Sequence, residues 1–172
     1  YCLGNPQNYI DPNGLLIIYI PGTFTGYNPS SSDFTSALKN TFNEQYGMIS
    51  IAWSFGFFRG NTQSARTSAV NLLANFINNY SFAPGEELNI VGFSHGGNIG
   101  LMLSQLELKH KIDNLVLLGT PIREYKPNMD NIGRLFNVYS KFDPIQARGG
   151  KGSWSAFFFP GEAGYAGRTI TS

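Results

Sequence analysis

Residues 87–100 run Glu87-Leu88-Asn89-Ile90-Val91-Gly92-Phe93-Ser94-His95-Gly96-Gly97-Asn98-Ile99-Gly100, and their pattern changes period partway along. Leu88, Ile90 and Val91 make a short apolar run of the kind found in buried strands, and from Ile99 to Leu108 apolar residues return at helical spacing. Between them Gly92-Phe93-Ser94-His95-Gly96 fits G-x-S-x-G, which puts Ser94 at the tip of a strand-to-helix turn. So abrupt a reversal strains the backbone at the serine and leaves no room for a Cβ on its flanks, a demand that Gly92 and Gly96 meet. The hydroxyl is then presented at the carboxyl edge of a sheet, with the positive end of a helix dipole directed toward it. Such a serine is a candidate nucleophile, and the N–H of His95, the next residue, is the usual half of an oxyanion hole. The plainer alternative is a glycine-rich turn with a solvated serine. The strand before and the helix after disfavour it.

Working outward, Leu15 to Ile20 is a continuous apolar run closed by Pro21-Gly22, as expected of a strand buried on both faces. Ser32-Asp33 can cap a helix running to about Tyr46, with Gly47 as its stop. Met48 to Trp53 reads as a second strand. Thr62 to Tyr80 repeats apolar residues at Ala65, Ala69, Leu72, Leu73, Phe76 and Ile77, the stripe of an amphipathic helix. Pro84-Gly85 ends that connection. Beyond the serine, Leu115 to Leu118 and Leu135 to Tyr139 are two more apolar segments, separated by a loop through Met129. Five strands joined by connections long enough for crossovers predict a mainly parallel sheet covered on both faces, an α/β three-layer sandwich.

In such a sheet catalytic groups gather outside the carboxyl ends of the strands, where Thr23, Ser94 and Asp143 all fall. The elbow, its position and the loop Pro21-Gly22-Thr23-Phe24-Thr25-Gly26 together resemble a minimal α/β-hydrolase. In that family a His-Gly-x sequence in the first loop supplies the second oxyanion donor; proline stands here in place of histidine. The donor is a backbone N–H, so the resemblance implies Thr23, with Phe24 as second choice, while a simple strand-ending turn is the other reading. It also implies that Asp143, in the turn after the last strand, is the acid that orients a catalytic histidine, in the chain order serine, acid, histidine. An Asp-Pro turn opener is the alternative.

No histidine follows Asp143. His95 has its backbone committed to the turn, and His110, read as the far end of the elbow helix, falls roughly 20 Å from Ser94 at 1.5 Å per residue. Three explanations stand: the base lies past Ser172, the domain has been cut to remove toxicity, or the chain is a hydrolase-like binding module. Residues 164–172 read as a lead-in to a further strand and loop, which favours the first two; a frayed tail is the alternative.

Composition narrows the classes further. The 172 residues hold twelve basic and eleven acidic side chains, a balance of +1 that gives no reason to expect nucleic acid or another polyanion. A nuclease-type activity also lacks a metal-ligand cluster, and no cofactor or metal is expected. No apolar run approaches the ~20 residues of a membrane span, and the amino end shows no signal peptide. The one cysteine, Cys2, has no partner in the chain, so it says nothing of the compartment. Aromatics make up 15%, with fourteen phenylalanines. Phe55, Phe57 and Phe58 after the second strand, and Trp154, Phe157, Phe158 and Phe159 beyond Asp143, would give the catalytic edge an apolar rim. A lipid or phospholipid ester is the expected substrate, with Phe24, Phe55, Phe57 and Phe58 touching it.

Residues 1–15, from Tyr1 through Asn5-Pro6, Tyr9 and Asp11-Pro12 to Gly14-Leu15, meet the pattern Y-x-x-x-N-P-x-x-Y-x-D-P-x-G-L. The pattern resembles the end of the core in rearrangement-hotspot (Rhs) or YD-repeat proteins; a proline-punctuated linker is the alternative. The resemblance implies self-cleavage after Leu15 and a toxin domain over residues 16–172, lacking its carboxyl-terminal end. It further implies a polymorphic toxin secreted as an effector into a target cell, an enclosing Rhs repeat shell and a cognate immunity protein.

Overall fold

The run Leu15–Ile20 forms β1, and every residue from Leu16 to Ile20 is buried. The computed structural model describes residues 15–23, 33–41, 48–51, 53, 62–121 and 123–140. Along them follow α1 (Asp33–Thr41), β2 (Ile49–Ser50), α2 (Gln63–Asn79), β3 (Glu87–Phe93), α3 (His95–Leu103), β4 (Ile112–Leu118), a 3-10 turn (Met129–Asn131) and β5 (Ile132–Val138). The strands pair in the order β2-β1-β3-β4-β5, and every pairing is parallel. The expected parallel α/β sandwich is therefore the observed one.

The pleat sorts the two faces. Leu16, Ile18 and Ile20 of β1, Leu88 and Ile90 of β3 and Leu115 and Leu117 of β4 pack with Val70, Leu73 and Ile77 of α2 and Ile99, Leu101 and Leu103 of α3. Each such aliphatic side chain contributes about 1.5–3 kcal/mol on leaving water. The alternate residues Tyr19 and Val91 turn to the opposite face and meet Leu38 of α1. That cover does not reach β5, where Phe136 and Val138 are 48% and 57% exposed.

Several boundaries differ from the sequence reading. α2 opens where expected, with Thr62 as its N-cap accepting from the Ala65 N–H at 3.1 Å. Its buried stripe, however, is Arg66, Ala69, Val70, Leu73 and Ile77, and Leu72 is 59% exposed. α3 stops at Leu103 instead of running to Leu108, because the Asn131 amide takes the carbonyls of Ser104 and Leu106, each at 2.9 Å. β4 and β5 begin three residues earlier than their apolar runs. Residues 42–47, the expected end of the first helix, lie outside the described residues, as do residues 1–14.

Candidate active site

The chain leaves β1 toward β2 on one side and returns to β3 on the other, so the strand order reverses between β1 and β3. Crevices form outside the carboxyl ends of strands at such a switch. Here those ends carry Pro21-Gly22-Thr23 and Ser94. Ser94 joins β3 to α3 with φ 51° and ψ −127°, the one positive φ of a non-glycine residue among the described residues. Backbone in that region costs on the order of 1–3 kcal/mol and persists only where its surroundings impose it.

Close backbone packing imposes it. A Cβ on Gly96 would lie 2.1 Å from the Ile20 carbonyl oxygen, and one on Gly92 would lie 2.5 Å from the Gly97 Cα. Two further glycines take part. A Cβ on Gly97 would sit 1.9 Å from Thr120 Oγ1, and one on Gly22 would sit 2.9 Å from the Ser94 Cβ. The first-loop glycine thus lies directly against the serine side chain. The Ser94 N–H donates to the Leu118 carbonyl at the end of β4 (2.8 Å), and the Gly97 N–H closes the turn onto the Ser94 carbonyl (3.1 Å). The Ser94 hydroxyl makes no capping bond to α3.

The His95 side chain is buried, and burial, reinforced by the nearby charges of Arg123 and then Arg66, lowers its pKa from 6.5 to about 3. It is a neutral imidazole near pH 7. Arg66, only 3% exposed, donates from Nε to the Tyr125 hydroxyl (3.2 Å) and from Nη2 to Gln63 Oε1 (2.9 Å). Arg123, on the loop after β4, is pulled below its ordinary pKa by burial and then by Arg66. Asn98 of α3 holds that loop through its amide bond to the Pro121 carbonyl (3.1 Å).

On the other side of the crevice, the Trp53 indole N–H donates to the Pro21 carbonyl at 2.6 Å and ties β2's end to the first loop. Trp53 also walls an apolar groove of about 390 Å³ with Ile51, Ala65, Ser68, Ala69 and Leu72. That volume falls in the range of small-molecule sites.

Of the residues singled out from sequence, Ser94, His95 and Thr23 come together at the β1/β3 switch, with Thr23 half-buried. Asp143, Phe24, Phe55, Phe57 and Phe58 lie outside the described residues, as does the aromatic group at 154–159. His110 is at the amino edge of the sheet, stacked on Phe82 with ring centroids 3.7 Å apart and 3.2 Å from Asp113. It is not at the end of the elbow helix as read, since α3 has already ended. Arg66 and Arg123 were missed. Position 66 does fall on the helical stripe of 69, 70, 73 and 77, and a charge there was the available signal. Among the described residues no three His, Cys, Asp or Glu side chains gather as metal ligands, and no helix is long and apolar enough to cross a membrane.

Residues 83–145 match a family model described as the alpha/beta hydrolase fold. A crystal structure of a lipase-esterase related protein from Clostridium acetobutylicum is similar over 87% of this chain, at 18% identity and a TM-score of 0.45. The chain covers 60% of that protein's length in the structure. No curated protein matches.

Proposed function

We propose that the chain is a serine hydrolase that cleaves carboxylic esters, lipid or phospholipid esters foremost, through an acyl-enzyme on Ser94. The observation that carries this reading is the strained Ser94 backbone, φ 51°, fixed between β3 and α3 with Gly22 against its side chain. Oγ attacks the ester carbonyl, the N–H groups of His95 and Thr23 receive the oxyanion, and the alkoxide leaves with the proton that Oγ gave up. Water then releases the acid. The proton carrier is a histidine from outside residues 1–172, oriented by Asp143, since His95 is buried with its pKa lowered to about 3, too weak a base to take the serine proton, and His110 is at the opposite edge. The apolar groove beside Trp53 supports an acyl chain as the group held next to the first loop.

The first fifteen residues support a place at the end of an Rhs-type shell, with release after Leu15, delivery into a target cell and neutralisation by an immunity protein. Leu15 is the first residue of β1, so scission behind it spares the five buried residues that follow. A fluorophosphonate probe on the protein with its complete carboxyl terminus should label Ser94, and Ser94→Ala should lose both label and ester hydrolysis. A clean lack of labelling overturns the proposal. The second reading, a noncatalytic binding module, is favoured by the absence of both histidines from the serine's reach. Ester hydrolysis that depends on Ser94 excludes it.

A further inference from the structure

One hydrogen bond ties the apolar groove to the serine turn. Trp53 is buried, and its indole N–H donates to the Pro21 carbonyl at 2.6 Å. Pro21 adjoins Gly22, where a Cβ would lie 2.9 Å from the Ser94 Cβ, and the Pro21 carbonyl oxygen is 2.6 Å from the place of a Cβ on Gly96. The first loop is thus held between the indole and the turn that carries Ser94. A displacement of the indole is thereby a displacement of the loop against the serine. Thr23, the proposed oxyanion donor, is the next residue along that loop.

The same indole is a wall of the groove, and α2 supplies the facing wall with Ala65, Ser68, Ala69 and Leu72. These positions share one face of the helix, and at 1.5 Å per residue they extend over roughly 10 Å. Because the strands on either side of α2 are parallel, the helix starts at the carboxyl edge and runs back toward the amino edge. The groove therefore begins beside Trp53, near the first loop, and leads away from it, with Leu72, 59% exposed, at its far end. Small side chains at 65, 68 and 69 open the space, and a lining that is apolar except for Ser68 favours an aliphatic chain.

We infer that Trp53 is a positioning residue: the groove takes the acyl chain of the ester, and the indole relays its occupation to the first loop, holding Thr23 where its N–H meets the oxyanion. This rests on the hydrolase reading and deepens it. Contact far from the carbonyl then sets a group that works only in the transition state, so acyl length acts on kcat as well as on binding. Short acyl groups leave the groove empty and gain nothing from it. The substrate class narrows to esters of aliphatic acids long enough to run along α2.

Kinetics on the protein with its complete carboxyl terminus test it, with p-nitrophenyl octanoate and p-nitrophenyl acetate as the long and short esters. The wild type should turn over octanoate with a higher kcat as well as a lower KM. Ser68 is exposed, so Ser68→Leu fills the groove without touching the core, and it should lower kcat/KM on octanoate about tenfold with acetate unchanged. Trp53→Phe keeps an aromatic wall and removes the N–H donor; kcat on octanoate should fall about fivefold, toward that on acetate, while octanoate keeps its lower KM. An octanoate preference that survives Ser68→Leu overturns the groove as the acyl site. A Trp53→Phe loss that is equal on both esters marks a structural role and overturns the relay. A binding measurement stands apart from turnover: 1-octanol titrated calorimetrically into Ser94→Ala protein should bind about tenfold more weakly once Ser68→Leu is added. If Ser94→Ala leaves hydrolysis intact, the hydrolase reading falls by itself, and the octanol titration still decides the groove.

Discussion

The two edges of the sheet treat buried polar groups in opposite ways. At the amino edge the buried side-chain polar atoms of the described residues are paired: the Leu88 N–H donates to Asp113 (2.8 Å), and the Asn114 amide donates to Asn89 (2.6 Å) and to Glu87 (3.2 Å). The buried carboxylate of Glu86 accepts from the Tyr80 hydroxyl and the Ala83 N–H. At the carboxyl edge, Thr23 Oγ1, Thr120 Oγ1 and Nε and Nη2 of Arg123 are buried without hydrogen-bond partners, and the backbone of Ser94 is strained. A sheet that satisfies its polar groups at one end and leaves some bare at the other is consistent with the proposed site at the carboxyl edge.

That contrast can be broken at either end. The largest effect is expected from Ser94→Gly, which removes the proposed nucleophile while relaxing a backbone that glycine adopts freely. Ester turnover should drop by about 10³-fold or more, and chemical denaturation should show a gain of about 1 kcal/mol. A loss of stability would mean the elbow is not strained. Gly96→Ala should cost about 3 kcal/mol or more, since its Cβ meets a strand carbonyl that cannot step aside.

Next comes pH. His95 is held neutral in the folded protein and takes up a proton near pH 6.5 when unfolded. Stability should therefore be complete above about pH 6.5 and fall by up to about 1.4 kcal/mol per unit as pH drops from there toward 3, and His95→Gln should flatten that slope. At the amino edge, Asn114→Ala should cost about 1–2 kcal/mol by orphaning the side-chain Oδ1 of Asn89, with kcat/KM unchanged. The smallest change is Gly85→Ala, about 1 kcal/mol, because φ is +82° but nothing lies within 4 Å of the new methyl.

What could be read from the chain alone follows from how local each signal is. β1, the start of α2 and the turn at Ser94 are written in consecutive residues: an apolar hexapeptide, a capping threonine, a glycine-flanked serine. The first three residues of β4 are hidden, because Asn114 is polar and becomes a core residue only by bonding Asn89, twenty-five positions away. Gly133 of β5 reads as a strand breaker, yet its Cβ would come within 2.7 Å of the Asp113 carbonyl, so the close strand approach selects it. The end of α3 is set by Asn131, far along the chain. The arginine pair has the same character: α2 and the loop after β4 meet only in the folded protein, and no short pattern announces them.

The 2.6 Å bond from the Trp53 indole to the Pro21 carbonyl has a practical consequence. One of the chain's two tryptophans is clamped to the loop that faces Ser94. With Trp154 replaced by phenylalanine, fluorescence from the remaining indole becomes an optical gauge of that loop, its wavelength and quenching following each arrival of a ligand in real time.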